Sequence, residues 1–208
     1  TTSSSPPPSI RVHPNVIVYV ATWGSSGGYT VDQLIDGWQR QMASPLLGIY
    51  EYYAVVAWDK FLPARARSAD LDYLSNSIAR YHRSGARFMN AESDWSWGAN
   101  GLGYYLSSRM LWDADNTDRK EELVQDFLAN CFGPAAAPMR TFYELLDASS
   151  GDPYVPSRRR PLNDDMVHRM YRSLKHARDL APGRREVIAR IDDLMRYTRC
   201  VDRYRGVR

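Results

Sequence analysis

Three short stretches of this chain read as buried strands, and each runs on into a loop and an amphipathic helix. The first is Asn15-Val16-Ile17-Val18-Tyr19-Val20-Ala21, a β-branched and aromatic run of strand length. It leads into Thr22-Trp23-Gly24-Ser25-Ser26-Gly27-Gly28, a glycine-rich loop. Thr30 suits an N-cap, and Val31, Leu34, Ile35, Trp38 and Met42 recur behind it at helical spacing until Pro45. A second strand signal, rich in Tyr and Val, covers 46–58; Ser68 then caps a helix carrying Leu71, Leu74, Ile78 and Tyr81, which Gly85 stops. Residues 87–92 form the third run, followed by a Trp- and Gly-rich loop over 93–101 and a helix over about 102–112. Strand, loop and helix in alternation predict parallel strands joined by helical crossovers.

After Asp113 the strand signals stop. Thr117 opens a helix with Leu123, Val124, Phe127, Leu128 and Cys131, broken at Gly133-Pro134; Met139, Phe142, Tyr143, Leu145 and Leu146 mark the next. Pro153, Pro156, Pro161 and Arg158-Arg159-Arg160 make 149–163 a loop. Two amphipathic helices follow, one with Met166, Met170, Leu174 and Ala177, the other with Val187, Ile191, Leu194 and Val201, separated by Pro182-Gly183. The expected organisation is a linker or cut strand end over 1–14, an α/β part over 15–150 and a helical region over 151–208. Three βα units fall short of the eight in a closed barrel, which takes roughly 200–250 residues. The sheet is then either a piece of a larger one, the favoured reading, or completed by another chain.

At 208 residues, 44% hydrophobic and 25% charged, the composition is that of a globular domain and excludes collagen-like or disordered chains. No apolar run reaches the ~20 residues of a membrane helix, so no membrane partner is expected. Charge is uneven: residues 157–208 hold 15 of the 27 Lys and Arg against 7 of the 24 Asp and Glu, a net of +8, leaving −5 for the rest. Those arginines alternate with acids, and Glu186 and Arg190 stand at i,i+4. A solvated helix face, or one docked on an acidic body, is expected rather than a nucleic-acid site. Cys131 and Cys200 lie in apolar-periodic stretches and read as buried thiols, with a bridge between them left open.

Parallel α/β folds gather function at the carboxyl ends of their strands. Here those ends hold Trp23; then Tyr50-Glu51-Tyr52-Tyr53 and Trp58-Asp59; then Glu92-Ser93-Asp94-Trp95-Ser96-Trp97-Gly98. Aromatics with carboxylates suit carbohydrate, since ring faces stack on sugar C–H faces while carboxylates accept from hydroxyls. A carboxylate pair is also what glycoside hydrolysis uses. Glu92 and Glu51 are therefore the candidate catalytic carboxylates, with Glu92 the stronger because it ends a strand and opens the aromatic loop. Trp23, Tyr53, Trp58, Asp94, Trp95 and Trp97 are candidate substrate contacts. Each has a plainer alternative: Glu51 as a buried paired carboxylate, Asp94 as a turn cap, Trp95 and Trp97 as a structural lid. Trp38 and Trp112, on helices, read as core, and Tyr104 and Tyr105 as helix packing.

The histidines, His13, His82, His168 and His176, have no metal-ligand spacing. There is no Gly-x-Ser-x-Gly elbow or Walker loop, and Gly98, Gly101 and Gly103 have the wrong spacing for a dinucleotide turn. No metal and no cofactor is expected.

Several motifs, in order, resemble one bacterial family: Asn15-Val16-Ile17-Val18, Gly48-Ile49-Tyr50-Glu51-Tyr52-Tyr53, Ala91-Glu92-Ser93, Gly101-Leu102-Gly103-Tyr104-Tyr105-Leu106 with Arg109-Met110-Leu111-Trp112-Asp113, and Asp126-Phe127-Leu128 before Phe132-Gly133-Pro134-Ala135-Ala136 and Met139. It is a largely uncharacterised group of glycosidase-like TIM-barrel domains, similar to β-hexosaminidase and α-glucuronidase barrels, and the resemblance covers about residues 6–150. It implies an α/β fold, the C-terminal portion of a (β/α)8 barrel followed by a helical appendage, with the first four or five strands outside this chain. The catalytic acid pair would lie on an earlier strand, and Glu92 with Trp95 or Trp97 would bind sugar hydroxyls. The implied partners are a carbohydrate and the missing half of the barrel or another chain, and the implied location is secreted or periplasmic. The function expected is that of part of a glycoside-hydrolase-like protein that binds and hydrolyses a carbohydrate. The alternative is a non-catalytic carbohydrate-binding or scaffold fragment.

Overall fold

A computed structural model describes residues 11–23, 28–41, 46–55, 66–149 and 163–205. Its strands are β1 (Val18–Ala21), β2 (Leu47–Tyr52) and β3 (Phe88–Glu92). Its α-helices are α1 (Val31–Gln41), α2 (Leu71–Arg83), α3 (Trp97–Trp112), α4 (Lys120–Phe132), α5 (Ala136–Ser149), α6 (Asp164–Asp179) and α7 (Arg185–Arg205). The chain divides into two compact units, one of Thr1–Tyr53 with Asn76–Ser93, the other of Ala54–Ser75 with Asp94–Arg208.

The first unit holds the sheet. Its order is β1-β2-β3, all parallel, with Val20 opposite Ile49 and Tyr52 opposite Glu92. Side chains alternate across a strand, so Val18, Val20, Leu47, Ile49 and Met89 share one face. Leu34, Ile35 and Trp38 of α1 and Tyr81 of α2 pack with them into a core. Local chemistry sets the helix limits. Thr30 and Gln33 form a reciprocal capping box at α1, with Thr30 N–H donating to Gln33 Oε1 (2.8 Å) and Gln33 N–H to Thr30 Oγ1 (3.2 Å). Gly85, at φ +86°, ends α2 in a Schellman turn: its N–H donates to the His82 carbonyl and that of Ala86 to the Tyr81 carbonyl.

The second unit is helical. α5 packs on α6, α6 on α7, and α3 on α4 and α7; Leu106, Met110, Leu128, Met139, Phe142, Met170, Leu174 and Ile191 fill it. Asn163 caps α6 by accepting the Met166 N–H at 2.9 Å. Four arginines of α6 and α7 are paired with acids of the same two helices: Arg169 with Asp165, Arg178 with Asp192, Arg190 with Glu186 and Arg196 with Asp193. No helix among the described residues is long and apolar enough to cross a membrane.

Several expectations are corrected. The expected C-terminal portion of a TIM barrel is not seen: about 70% of the described residues are helical, and the one sheet among them is small, with three strands in the order β1-β2-β3. Strand patterning reports which residues alternate, while barrel closure needs edges to meet, and that is a long-range matter. β2 ends at Tyr52 rather than running on over 46–58. Asp70, not Ser68, caps α2, accepting the Tyr73 N–H at 2.7 Å. Residues 114–119 are a 3-10 turn, so α4 begins after Thr117. Trp112 is 90% exposed rather than core, and Cys131 is half-buried and Cys200 exposed, both free thiols. Helix α3 starts at Trp97, five residues before the expected 102, because Asp94 accepts hydrogen bonds from Ser96 and Asn100 and so gathers the first turn.

Candidate functional site

The face of the sheet opposite the core carries Tyr19, Tyr50, Tyr52, Phe88, Asn90 and Glu92, by strand alternation and register. Gly48 lets the Tyr19 ring lie across this face: a Cβ there would lie 2.6 Å from that ring. At the carboxyl end Trp23, 39% exposed, packs edge-on against Tyr52 (6.0 Å between centroids), and Tyr52 edge-on against Tyr50 (5.2 Å). Tyr50 in turn donates its hydroxyl to Glu92 at 2.8 Å. That bond and the negative charge of Glu92 hold the Tyr50 phenol above its ordinary range. Three rings thus lead, contact by contact, to an exposed carboxylate.

Glu51 points the other way. It is wholly buried, and accepts from the Thr22 hydroxyl (2.8 Å), the Tyr52 N–H (2.6 Å) and the Tyr81 hydroxyl (3.4 Å). Such donors satisfy a buried carboxylate. Tyr53, two residues on, is also buried, its hydroxyl 4.0 Å from the Met89 sulfur; burial first, then the Glu51 charge, pushes its phenol well up. Glu51 and Glu92 are the only carboxylates on the three strands, and they project on opposite faces. The sheet therefore does not bring them together around one bond.

In the second unit Asp94 is buried, and its Oδ1 accepts from the Ser96 N–H (2.9 Å), the Asn100 amide (3.1 Å) and the Tyr104 hydroxyl (3.2 Å). This network gathers the first turn of α3, which is why the helix takes in Trp97 and Gly98. Trp97 lies edge-on to Tyr104 at 5.0 Å and is 65% exposed; Trp95 is 88% exposed. Trp58 lies outside the described residues. Sequence reasoning passed over Tyr50 and Tyr52 as individual contacts. Their i,i+2 spacing on a strand ending in Tyr-Glu-Tyr was the available signal. Among the described residues no three His, Cys, Asp or Glu side chains converge as a metal site would require.

Residues 1–144 match the family model DUF4838, a domain of unknown function. No curated protein and no solved structure matches the chain.

Proposed function

The chain belongs to the DUF4838 family, whose description assigns no activity, and from the geometry of its sheet we propose that it binds a saccharide on the outer sheet face. The observation that carries this reading is the run Trp23–Tyr52–Tyr50–Glu92. An amphipathic ring such as Trp or Tyr offers an apolar face to a sugar's C–H surface while its polar edge stays wet. Glu92, exposed and oriented by Tyr50, is the acceptor for a hydroxyl pair. Glu51 does not touch the sugar in this reading; through Thr22 and Tyr52 it is a positioning residue. Hydrolysis requires two carboxylates flanking one bond, roughly 5–9.5 Å apart. Glu92 has no such companion among the described strand residues, so the reading is contact rather than cleavage by these residues alone.

The test is calorimetric titration of the 208-residue chain with a panel of neutral and N-acetylated oligosaccharides, repeated with Glu92→Gln and Trp23→Ala. A hydrogen bond to a charged group contributes about 1.5–3 kcal/mol, so Glu92→Gln should weaken binding roughly tenfold or more. No saccharide bound by the parent chain, or affinity unchanged from the parent in both folded variants, would falsify the proposal.

A further inference from the structure

The second unit contains a cavity of about 550 Å³ that owes nothing to the sheet face. It opens between α3, α4, α5 and α7, a place where helical domains commonly seat small ligands, and its size lies in the usual ~300–1,000 Å³ range for them. Its walls are rings. Phe127 stands between Tyr105 (5.6 Å), Tyr143 (5.8 Å) and Phe132 (6.2 Å), and Trp97 closes one side.

Two further observations define the occupant. Gly98 and Gly101 line the cavity from the first turns of α3. Glycine inside a helix costs roughly 0.5–1 kcal/mol relative to alanine, and here neither neighbouring packing nor φ requires it. A Cβ on Gly98 would meet Leu194 at 3.5 Å, and one on Gly101 would meet Phe127 at 3.8 Å, both ordinary contacts. What the two glycines do is keep space open. Secondly, most polar ends of the lining side chains are already engaged. Tyr105 donates to Asp126, Tyr143 to the Gly98 carbonyl (2.8 Å), Tyr104 to Asp94, and Arg190 to the Cys131 carbonyl (2.9 Å). A hydroxyl-rich sugar would find few partners here, whereas a flat apolar ring would find faces and edges on several sides.

We propose that this cavity is a binding site for a planar, predominantly apolar ring compound of one or two fused rings. It is separate from the saccharide reading and stands or falls without it. Half-buried Cys131 lines the cavity and supplies a reporter. The probe is 2-naphthol, titrated by fluorescence into the full chain carrying Cys200→Ser, which leaves Cys131 as the sole thiol.

Saturable binding at one naphthol per chain is expected, with Cys131 alkylation by a maleimide slowed about fivefold or more at saturation. Gly101→Leu fills the cavity from its floor, and Ser108→Phe fills it from the exposed rim. Each should weaken binding about tenfold or more, equivalent to ~1.4 kcal/mol. Circular dichroism and Tm identify which variants are folded, and Ser108→Phe serves if Gly101→Leu is not. Naphthol that binds folded Ser108→Phe as tightly as the parent, or that leaves Cys131 alkylation unchanged, overturns the proposal. So does self-association that by itself shields Cys131, since the occupant would then be a second copy of the chain.

Discussion

Replacing Gly103 by alanine should destabilise the protein, although alanine is the better helix former. Gly103 sits within α3, where the exchange alone would contribute roughly 0.5–1 kcal/mol of stability. Its surroundings reverse the sign. An added Cβ would lie 1.8 Å from the Ser68 carbonyl oxygen, 2.8 Å from the Ser68 carbonyl carbon and 3.2 Å from Leu74 Cδ1. The first two are backbone atoms in a buried 3-10 turn, Arg67–Ala69, so no rotamer change relieves the contact. The turn and α3 must separate. Overpacking of this kind costs about 1–3 kcal/mol, and backbone clashes fall at the upper end. A net loss of about 2 kcal/mol follows, or roughly 4–8 °C in Tm for a chain of this size. Gly101→Ala, two residues earlier on the same helix, is the control: its Cβ makes an ordinary 3.8 Å contact with Phe127, so it should gain up to about 1 kcal/mol. Thermal and urea melts of both variants, followed by circular dichroism, compare them directly. If Gly103→Ala proves as stable as Gly101→Ala, the close approach of α3 to Ser68 is not as described.

The remaining expectations concern charge and capping. Burial foremost, together with nearby Asp70 and Asp72, pushes the Asp147 carboxyl up to about 6, against the lowering effect of the Leu71 N–H it accepts and of Lys120. A folded value above the ordinary 3.8 means that this group's stabilising contribution is fully present below pH 3.8 and lost as pH rises through about 6. Asp147→Asn, which keeps an acceptor oxygen for Leu71, should therefore raise Tm at pH 7 and flatten the Tm profile between pH 4 and 6.5; parallel profiles would refute this. Glu51→Leu removes the acceptor shared by Thr22, Tyr52 and Tyr81 and should cost at least about 2 kcal/mol in urea melts. Glu51→Gln, with one carbonyl oxygen retained, should cost less than half of that, and equal losses would rule out the bonding described. Thr30→Ala breaks the capping box of α1 and should cost about 1 kcal/mol, read as a Tm fall of roughly 2–4 °C; an unchanged Tm would mean that the cap is idle.

Much of the local architecture was legible because it depends on neighbours in sequence. The Thr30 cap, the Gly85 stop and the apolar periods of α1, α6 and α7 are set within a few residues, and the structure has them in place. The carboxylate- and aromatic-bearing strand ends were visible on the same grounds. Alternation also separates Glu51 from Glu92 as soon as Tyr52 is seen to lie opposite Glu92. Register is a contact between distant segments, so a single strand's pattern could not supply it.

What tertiary structure decided was which surfaces meet. Leu34, Ile35 and Tyr81 cover one face of the sheet; that burial turned Glu51 into an internal acceptor and left Tyr50, Tyr52 and Glu92 on the other side. Asp94, Asn100 and Tyr104 meet only once α3 has formed, and their hydrogen bonds carried the helix back to Trp97. Trp112 satisfies a helical apolar pattern yet is exposed. Gly101 and Gly103 look alike in sequence, and only the approach of Ser68 separates them. The sequence by itself determined the elements and the residue types at their ends, because those follow from short-range sterics and capping. The open sheet, its covered face and the ring-lined cavity were settled by packing between residues far apart in the chain, whose free energy no local pattern records.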